Sequence, residues 1–536
     1  MSHIGRHTTP FIRTSMPPRK RAKIEFGAAT EDDNPSAAIG AGNPSSSAPS
    51  TRPPRYTSVP KLTTLASRVF AENFLRLHHR ETLWKERLSV QLLGLPETLL
   101  PLLLLDLTQV CPTYLTHGFL VTYFFRGHSL TLDSSLTGVN NHSIRALQRM
   151  STNLRDLEVS GFKKVPDKTF ADAIRHLPNL RRLVLRGCSL AGPATMKAAE
   201  SCTQMQIANF NYTAVTPAAL QPFLLACHKT LTVLKLAGIP NWTDATFRKM
   251  LSPDLTLPQL LTLKVCRLNV SEAPLNDLTN RCPALRRLDI SFTAVRHPFQ
   301  GTSIGTLPFL EKLYLTSTSI PNPELLSLLP QLNSLTSLAL GALGASPRSI
   351  SAIDSSMTLT DSVLLQFIPH LQSLKMLTNL SLVGNTKLSS SLGPLIAAVG
   401  RNCKWLNLSS IPGLRSQHLA PLVPDDELAE APSRLETLLL NNTGIDDDAA
   451  PFLASCASLR WLEVAETKMT SDGLFSVLDG CVLLTTLGLK SCRGVRVSNR
   501  RRFFEAGLLL FQCHTLLIQA FCRYGKKKGL RNAEYE

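Results

Sequence analysis

Leu435-Glu436-Thr437-Leu438-Leu439-Leu440-Asn441-Asn442-Thr443-Gly444-Ile445 is the stretch whose reading decides the fold. Its apolar residues follow the form L-x-x-L-x-L-x-x-T-x-I. The step of two between Leu438 and Leu440 suits a strand, because successive strand side chains point to opposite faces. The Asn-Asn-Thr-Gly run behind it is turn chemistry. Cores of the same form start at Leu154, Leu180, Met205, Leu231, Leu260, Leu285, Leu310, Leu335, Leu377, Cys403, Leu459 and Leu484, after a degenerate unit at Leu130–Leu132. Most starts are separated by 24–29 residues. Self-similarity at that period means stacked units, none of which buries its apolar face alone.

Between the strands lie helical stretches such as Asp167–Arg175, Thr216–Ala226 and Asp446–Cys456. Each opens on Asp or Thr, residues placed to cap a helix N-terminus. The Asp446-Asp447-Asp448 triplet is read the same way, as carboxylates complementing a helix dipole rather than as a metal site. The spacing, the Cys that precedes the strand and phrases such as Cys282-Pro283-Ala284-Leu285-Arg286-Arg287-Leu288-Asp289-Ile290 resemble the cysteine-containing and ribonuclease-inhibitor-like leucine-rich repeats. The closing segment Cys492–Glu505 is similar to that of fungal proteins of this class. The resemblance implies an α/β horseshoe solenoid, with a parallel sheet on the concave face and helices on the convex face. About 14 units are expected over residues 126–505. The period breaks twice, at Gly341–Met357 and at Ser409–Ser433, and long insertions of this kind often carry binding or regulation.

The net charge of +18 is unevenly spread. Residues 1–60 carry +4 and residues 490–536 carry +8, leaving the intervening body only +6. A basic pI therefore does not make the solenoid a nucleic-acid binder. The longest apolar runs, Leu92–Leu105 and Ala506–Phe521, fall short of the about 20 residues of a spanning helix, so a soluble protein without a transmembrane segment is expected. Cys202, Cys282, Cys456 and Cys481 stand three residues before a repeat's first apolar position, while Cys188, Cys266 and Cys492 follow strands. These are packing slots, where a free thiol acts as a small hydrophobe. Without CxxC or Cys/His metal spacing, disulfides, zinc and other cofactors are not expected, and a reducing compartment is.

Residues 1–60, rich in Pro, Ser, Ala, Thr and Gly, read as a disordered basic tail. Arg19, Lys20, Arg21 and Lys23, behind Pro17-Pro18, suit the acidic groove of a nuclear import receptor, which places the protein in the nucleus, the cytoplasm or both. A merely solubilising tail and a presequence-like start are the other readings. Residues 506–536, apolar and then basic at Lys526-Lys527-Lys528, read as a cap on the last repeat, a membrane-surface segment or a gene-model artefact.

Residues 61–125 read as a small helical domain at the head of the array. Leu95-Pro96-x-x-Leu99-Leu100, followed by Leu103, Leu104 and Leu107, resembles the opening of an F-box. It is also similar to the helical segment of elongin-linked leucine-rich-repeat receptors of cullin ligases. The resemblance implies that Leu95, Pro96, Leu99 and Leu100 dock a Skp1-like or elongin C adaptor. Pro112-Thr113-Tyr114 replaces the aromatic ending usual in an F-box. A plain cap, which any solenoid requires, is the other reading.

Signature motifs for phosphate cradling, dinucleotide binding, zinc hydrolysis and serine hydrolysis are missing, so no enzyme is indicated. Solenoids act through a concave surface. The positions flanking the inward leucines give Arg182, Arg186, Lys235, Lys264, Arg267 and Arg287 toward the N-terminal end. Phe292, Lys312 and Tyr314 follow in the middle, and Asn441, Asn442, Trp461, Glu463 and Glu466 stand toward the C-terminal end. Tyr314 and Trp461 are the leading anchors, because exposed aromatics anchor interfaces. Three functions fit: the substrate receptor of an SCF-like ubiquitin ligase, a scaffold or inhibitor without ubiquitin chemistry, and a nuclear chromatin- or nucleic-acid-associated factor.

Overall fold

The computed structural model describes residues 50–51, 61–150, 153–299, 309–342, 359–424, 431–496 and 499. The basic cluster at 19–23, the run 506–536, most of the 341–357 loop and Asp425-Asp426-Glu427 lie outside the described residues.

Four helical segments precede the parallel strands: α1 (Leu62–His78), α2 (Glu81–Leu93), α3 (Glu97–Val110) and α4 (His117–Tyr123). Gly94, Leu95 and Pro96 break the chain between α2 and α3, whose axes differ by 100°. Proline cannot continue a helix from the preceding turn but suits the start of the next. Thr116 caps α4 by accepting from the Phe119 amide. Phe74 of α1 holds the group together, meeting Trp84 at 5.7 Å and Phe119 at 5.5 Å, both edge to face. The Ser67 hydroxyl donates to the Asp106 carboxylate at 2.5 Å, which partners a carboxylate that is only 7% exposed.

Fifteen strands form one sheet. A two-residue strand β1 (Ser50–Thr51) pairs antiparallel with the last strand. The other fourteen are parallel and stand in chain order. They are β2 (Ser129–Asp133), β3 (Asp156–Ser160), β4 (Arg182–Val184), β5 (Ile207–Asn209), β6 (Val233–Lys235), β7 (Thr262–Lys264) and β8 (Arg287–Asp289). After them come β9 (Lys312–Tyr314), β10 (Ser337–Ala339), β11 (Asn379–Ser381), β12 (Trp405–Asn407), β13 (Thr437–Leu439), β14 (Trp461–Glu463) and β15 (Thr486–Gly488). The sheet is open: β2 is an end strand and does not meet β15. No single described helix is long and apolar enough to cross a membrane; α2 and α3 pass that test only as a bent pair.

Register explains the sequence pattern. Leu183, Ala208, Leu234, Leu263, Leu288, Leu313 and Leu338 lie side by side across the sheet, and the row continues through Leu380, Leu406, Leu438, Leu462 and Leu487. All are at most 3% exposed. Burying one such leucine contributes roughly 2 kcal/mol. One continuous core runs from Ala71 and Phe74 through these rows to Val495, so the helical segments seal the first repeat.

Most of the parallel strands end in the same device. The residue four places beyond the inward leucine has positive φ: Gly187, Tyr212, Gly238, Arg267, Phe292, Ser317, Gly384, Ser410, Asn442, Glu466 and Ser491. Its amide still reaches the next repeat, as in Arg267 N–H to Ser291 O at 2.9 Å and Asn442 N–H to Ala465 O at 2.7 Å. The parallel ladder therefore extends past the three-residue strands before the chain turns. Left-handed backbone costs a non-glycine residue on the order of 1–2 kcal/mol, and the ladder bond offsets part of that cost. One place further on, a buried polar side chain ties the turn down: Thr213, Thr293, Thr443 and Thr467 each donate to the carbonyl three residues back at 2.7 Å. This is the T of the opening phrase.

The ten described cysteines are all free and buried. Several donate to carbonyls of the preceding repeat, Cys188 to Val159 at 3.1 Å and Cys481 to Leu453 at 3.2 Å. Burial pushes the Cys227 thiol up to about 12 and Cys188 to about 11, so both stay protonated and inert.

Helix starts differ from the sequence expectation in one respect. Thr216 caps its own helix through the Ala219 amide, as expected. Asp167 does not cap its own helix, whose capping position is Pro166. Its carboxylate crosses to the next repeat and accepts from the amides of Gly192, Ala194 and Thr195 at 2.8–2.9 Å. Asp447 does the same for Thr470 at 2.7 Å, and Asp361 for the amides of Ser389, Ser390 and Ser391. Asp446 gives its own helix no side-chain cap bond and instead accepts from the Ser416 hydroxyl at 2.6 Å. An aspartate at a repeat's helix start thus stitches neighbours together, because stacked helices present their unsatisfied amides side by side.

Candidate protein-interaction surfaces

The fold is a leucine-rich-repeat solenoid, and its variable positions are the residues on either side of the inward leucine. Parallel register gathers them into two rows on the sheet's outer face. The row before the leucine reads Asp156, Arg182, Ile207, Val233, Thr262, Arg287, Lys312, Ser337, Asn379, Trp405, Thr437, Trp461 and Thr486. The row after it reads Glu158, Val184, Asn209, Lys235, Lys264, Asp289, Tyr314, Ala339, Ser381, Asn407, Leu439, Glu463 and Gly488. Neighbouring strands are about 4.8 Å apart, so residues adjacent in a row touch.

Arg182, Lys235, Lys264, Arg287, Tyr314, Trp461 and Glu463 all fall in these two rows. Arg186 lies on the same face two residues beyond its row and is exposed. Arg267, Phe292, Asn442 and Glu466 instead occupy the left-handed turn position. There the Arg267 guanidinium sits 4.6 Å from the centroid of the Phe292 ring, a cation–π contact between consecutive repeats.

The basic end is not a free positive patch. Arg182 pairs with Glu158 at 2.7 Å, and Lys264 with Asp289 at 3.2 Å. The second pair is nearly enclosed, its side chains 13% and 8% exposed. Lys235 is itself only 9% exposed. Sequence reading singled out the cations and passed over Glu158 and Asp289, because a lone strand does not say which residue of the next repeat lies beside it. Register supplies that.

The other end is built differently. The Trp461 indole donates to Glu463 Oε1 at 3.1 Å, and Asn441 Nδ2 donates to Glu463 Oε2 at 2.6 Å. Asn441 in turn accepts from the Ala465 amide at 2.8 Å, which fixes its orientation. Gly488 leaves room for this arrangement: a Cβ there would stand 3.0 Å from Glu463 Cγ. Trp405, which sequence reading missed, lies in the same row as Trp461 with Thr437 between them. The shortened repeat at Cys403 hid it by obscuring the frame. Both indoles are half-buried.

On the helical segments, Pro96 is exposed and Leu95 and Leu99 are half-buried. Leu100 is 3% exposed and belongs to the core, so no adaptor can reach it. Other apolar side chains do face solvent here: Leu62, Val69, Val90, Leu93, Leu105, Val110 and Tyr114 are 41–80% exposed. They make up seven of the sixteen large exposed hydrophobics among the described residues, although the helical segments are a small part of the chain.

No protein-family model matches the chain. The chain is 32% identical over 75 residues to F-box/LRR-repeat protein 23 of Arabidopsis thaliana. That match covers 14% of this chain and 17% of the relative's length. Among solved structures, the yeast Rad7–Elc1 complex contains a chain similar at TM-score 0.46 and 16% identity, covering 82% of this chain and 95% of that one. An internalin of Listeria monocytogenes is similar at TM-score 0.36 and 18% identity, covering 64% and 88%. A leucine-rich-repeat protein of Leptospira interrogans is similar at TM-score 0.35 and 16% identity, covering 75% and 90%.

Proposed function

We propose that this chain is a protein-interaction module that joins two partners and works as the substrate receptor of a cullin-type ubiquitin ligase. The helical segments dock a Skp1-like or elongin C adaptor, and the outer face of the sheet holds a target protein. The observation that carries this reading is the concentration of exposed apolar side chains on α1–α3. A cap that only closes a solenoid keeps its outer face polar for solubility, whereas exposed apolar surface beyond scattered single residues marks an interaction site. The Arabidopsis match, by its name an F-box protein with such repeats, points the same way over the 75 residues it covers. The basic cluster at 19–23 supports import into the nucleus as the accompanying localisation proposal.

The test uses exposed positions, because a charge at Leu100 would unfold the core. Full-length chain and a Val90→Asp, Leu93→Asp, Leu105→Asp variant are each mixed with purified Skp1-like protein or elongin C and run on a sizing column. The wild type is expected to co-elute with one adaptor and the variant to elute alone with unchanged circular dichroism. A wild type that binds neither adaptor sinks the ligase reading and leaves a scaffold. The nucleic-acid alternative draws less support, because two of the outer face's cations, Arg182 and Lys264, are matched by carboxylates. Its own signature, binding that weakens steeply with salt, is measurable on the same protein.

A further inference from the structure

The carboxylate of Glu463 is held in an unusual way for this face. Arg182 faces Glu158 and Lys264 faces Asp289, each acid closed off by a cation of the neighbouring repeat. Glu463 forms no ion pair among the described residues. Its two partners, the Trp461 indole and the Asn441 amide, are neutral N–H donors. Lys490, the cation of the adjoining repeat, makes no ion pair with it among the described residues. Each carboxylate oxygen accepts one hydrogen bond and retains a further lone pair. The group is therefore aimed, held and not neutralised.

Its neighbours complete a site. Trp461 lies two residues before Glu463 on the same strand face, and Trp405 lies two strands away in the same row. The Trp405 indole makes no hydrogen bond, ion pair or ring contact among the described residues. Thr437, between the indoles, is too short to fill the space at their height. A half-buried indole without a partner, two strands from an uncompensated carboxylate whose own neighbour is a second indole, suits a planar cation. A guanidinium stacks on an indole and offers paired N–H donors to a carboxylate, while an ammonium is a strongly hydrated point charge that does neither as well.

We propose that the β12–β14 stretch of the outer face recognises an arginine-bearing segment of a partner protein, with the guanidinium on Glu463 and its plane against the Trp461–Trp405 pair. This rests on the reading of the sheet face as the target-binding surface and gives that target a chemistry. Charge complementarity and the unpartnered indole select this occupant.

The test presents full-length chain to immobilised nonapeptides whose central residue is Arg, Lys, Gln or Glu and whose flanks are randomised. Wild type is expected to retain Arg-centred peptides about tenfold more strongly than Gln-centred ones, a difference of about 1.4 kcal/mol, with Lys between. Glu463→Gln removes the charge at constant shape and is expected to abolish the Arg preference. Trp405→Phe is expected to weaken it several-fold. Glu466→Gln, a nearby turn carboxylate, is expected to leave it unchanged. Retention without preference for Arg over Gln overturns the inference and leaves the target-binding reading standing. Retention of no peptide, or retention that neither Glu463→Gln nor Trp405→Phe alters, overturns both. An Arg preference that emerges only after residues 1–49 are removed assigns the site to the chain's own basic tail and overturns the partner assignment.

Discussion

The β3–β9 part of the outer face and the β12–β14 part share one backbone, one register and one buried leucine row, yet they treat charge in opposite ways. The first carries most of the cations and answers two of them in place, Arg182 with Glu158 and Lys264 with Asp289. The second carries one acid, two indoles and the asparagines Asn407 and Asn441, and hydrogen bonds replace ion pairing at the acid. Charge content and available charge are different quantities. A charge whose partner stands beside it in the next repeat is part of the scaffold, while one held by neutral donors remains available to a ligand.

The comparison fails if the two parts do not share the same foundation, and the leucine row tests that with the largest effect. Leu263→Ala and Leu438→Ala each remove a fully buried side chain from the same row. Each is expected to cost about 4 kcal/mol of unfolding free energy, measured by denaturant titration, with the two values within about 1 kcal/mol of each other. A much smaller loss at Leu438 would mean that the C-terminal repeats are looser and that Glu463 is not held rigidly.

Next in size is the enclosed ion pair. Lys264→Ala leaves the Asp289 carboxylate buried without its cation and is expected to cost about 3 kcal/mol. Replacing both by apolar residues, Lys264→Met with Asp289→Leu, is expected to restore most of that stability, because the pair's desolvation cost disappears with it. Glu463→Gln at the other end is expected to change stability by less than about 1 kcal/mol. A loss there as large as at Lys264 would make Glu463 a structural residue like Asp289.

How much of this was legible in the sequence follows from what a repeat encodes. The leucine phrase carries the strand, the turn and the parallel stack, because each repeat states the same local pattern and the local pattern is the fold. The threonine of that phrase was visible as a letter, and its bond to the carbonyl three residues back explains why it recurs. Pairings between repeats were not legible. Asp167 reads locally as a cap for its own helix, and only the stack shows that it caps the next. Trp405 was hidden by the shortened repeat and Leu100 by the F-box resemblance, which describes an outward surface where this chain places a core leucine.

The inter-repeat aspartates give a smaller effect with a pH signature. Burial pushes the Asp361 carboxyl up, but hydrogen bonds from Ser389, Ser391 and Ser390 outweigh it and hold the group well below the usual carboxylate range. A lowered folded value stabilises the fold above the unfolded pKa, near 3.9, and that stability is lost as pH falls further toward the folded value. Asp361→Asn is expected to cost about 1 kcal/mol at neutral pH, the scale of a lost helix cap. The gap between wild type and variant should stay flat down to about pH 5 and close below about pH 4, followed by thermal unfolding. A gap that widens on acidification would reverse the sign and remove the stitching role.

The smallest effect bears most directly on the contrast between the two parts. Arg182 and Glu158 are each about one-third exposed, unlike Lys264 and Asp289. Solvent screens such a pair, so a double-mutant cycle over Arg182→Ala and Glu158→Ala is expected to give a coupling of about 0.5 kcal/mol, shrinking in high salt. The Lys264–Asp289 cycle should be larger and nearly indifferent to salt. If the Arg182 coupling is zero even at low salt, Glu158 does not hold that guanidinium, and Arg182 becomes a cation offered to a partner. The division would then run inside the basic part, between its shielded pair and its open one. A target could in that case bridge both parts, placing an acid on Arg182 and an arginine on Glu463.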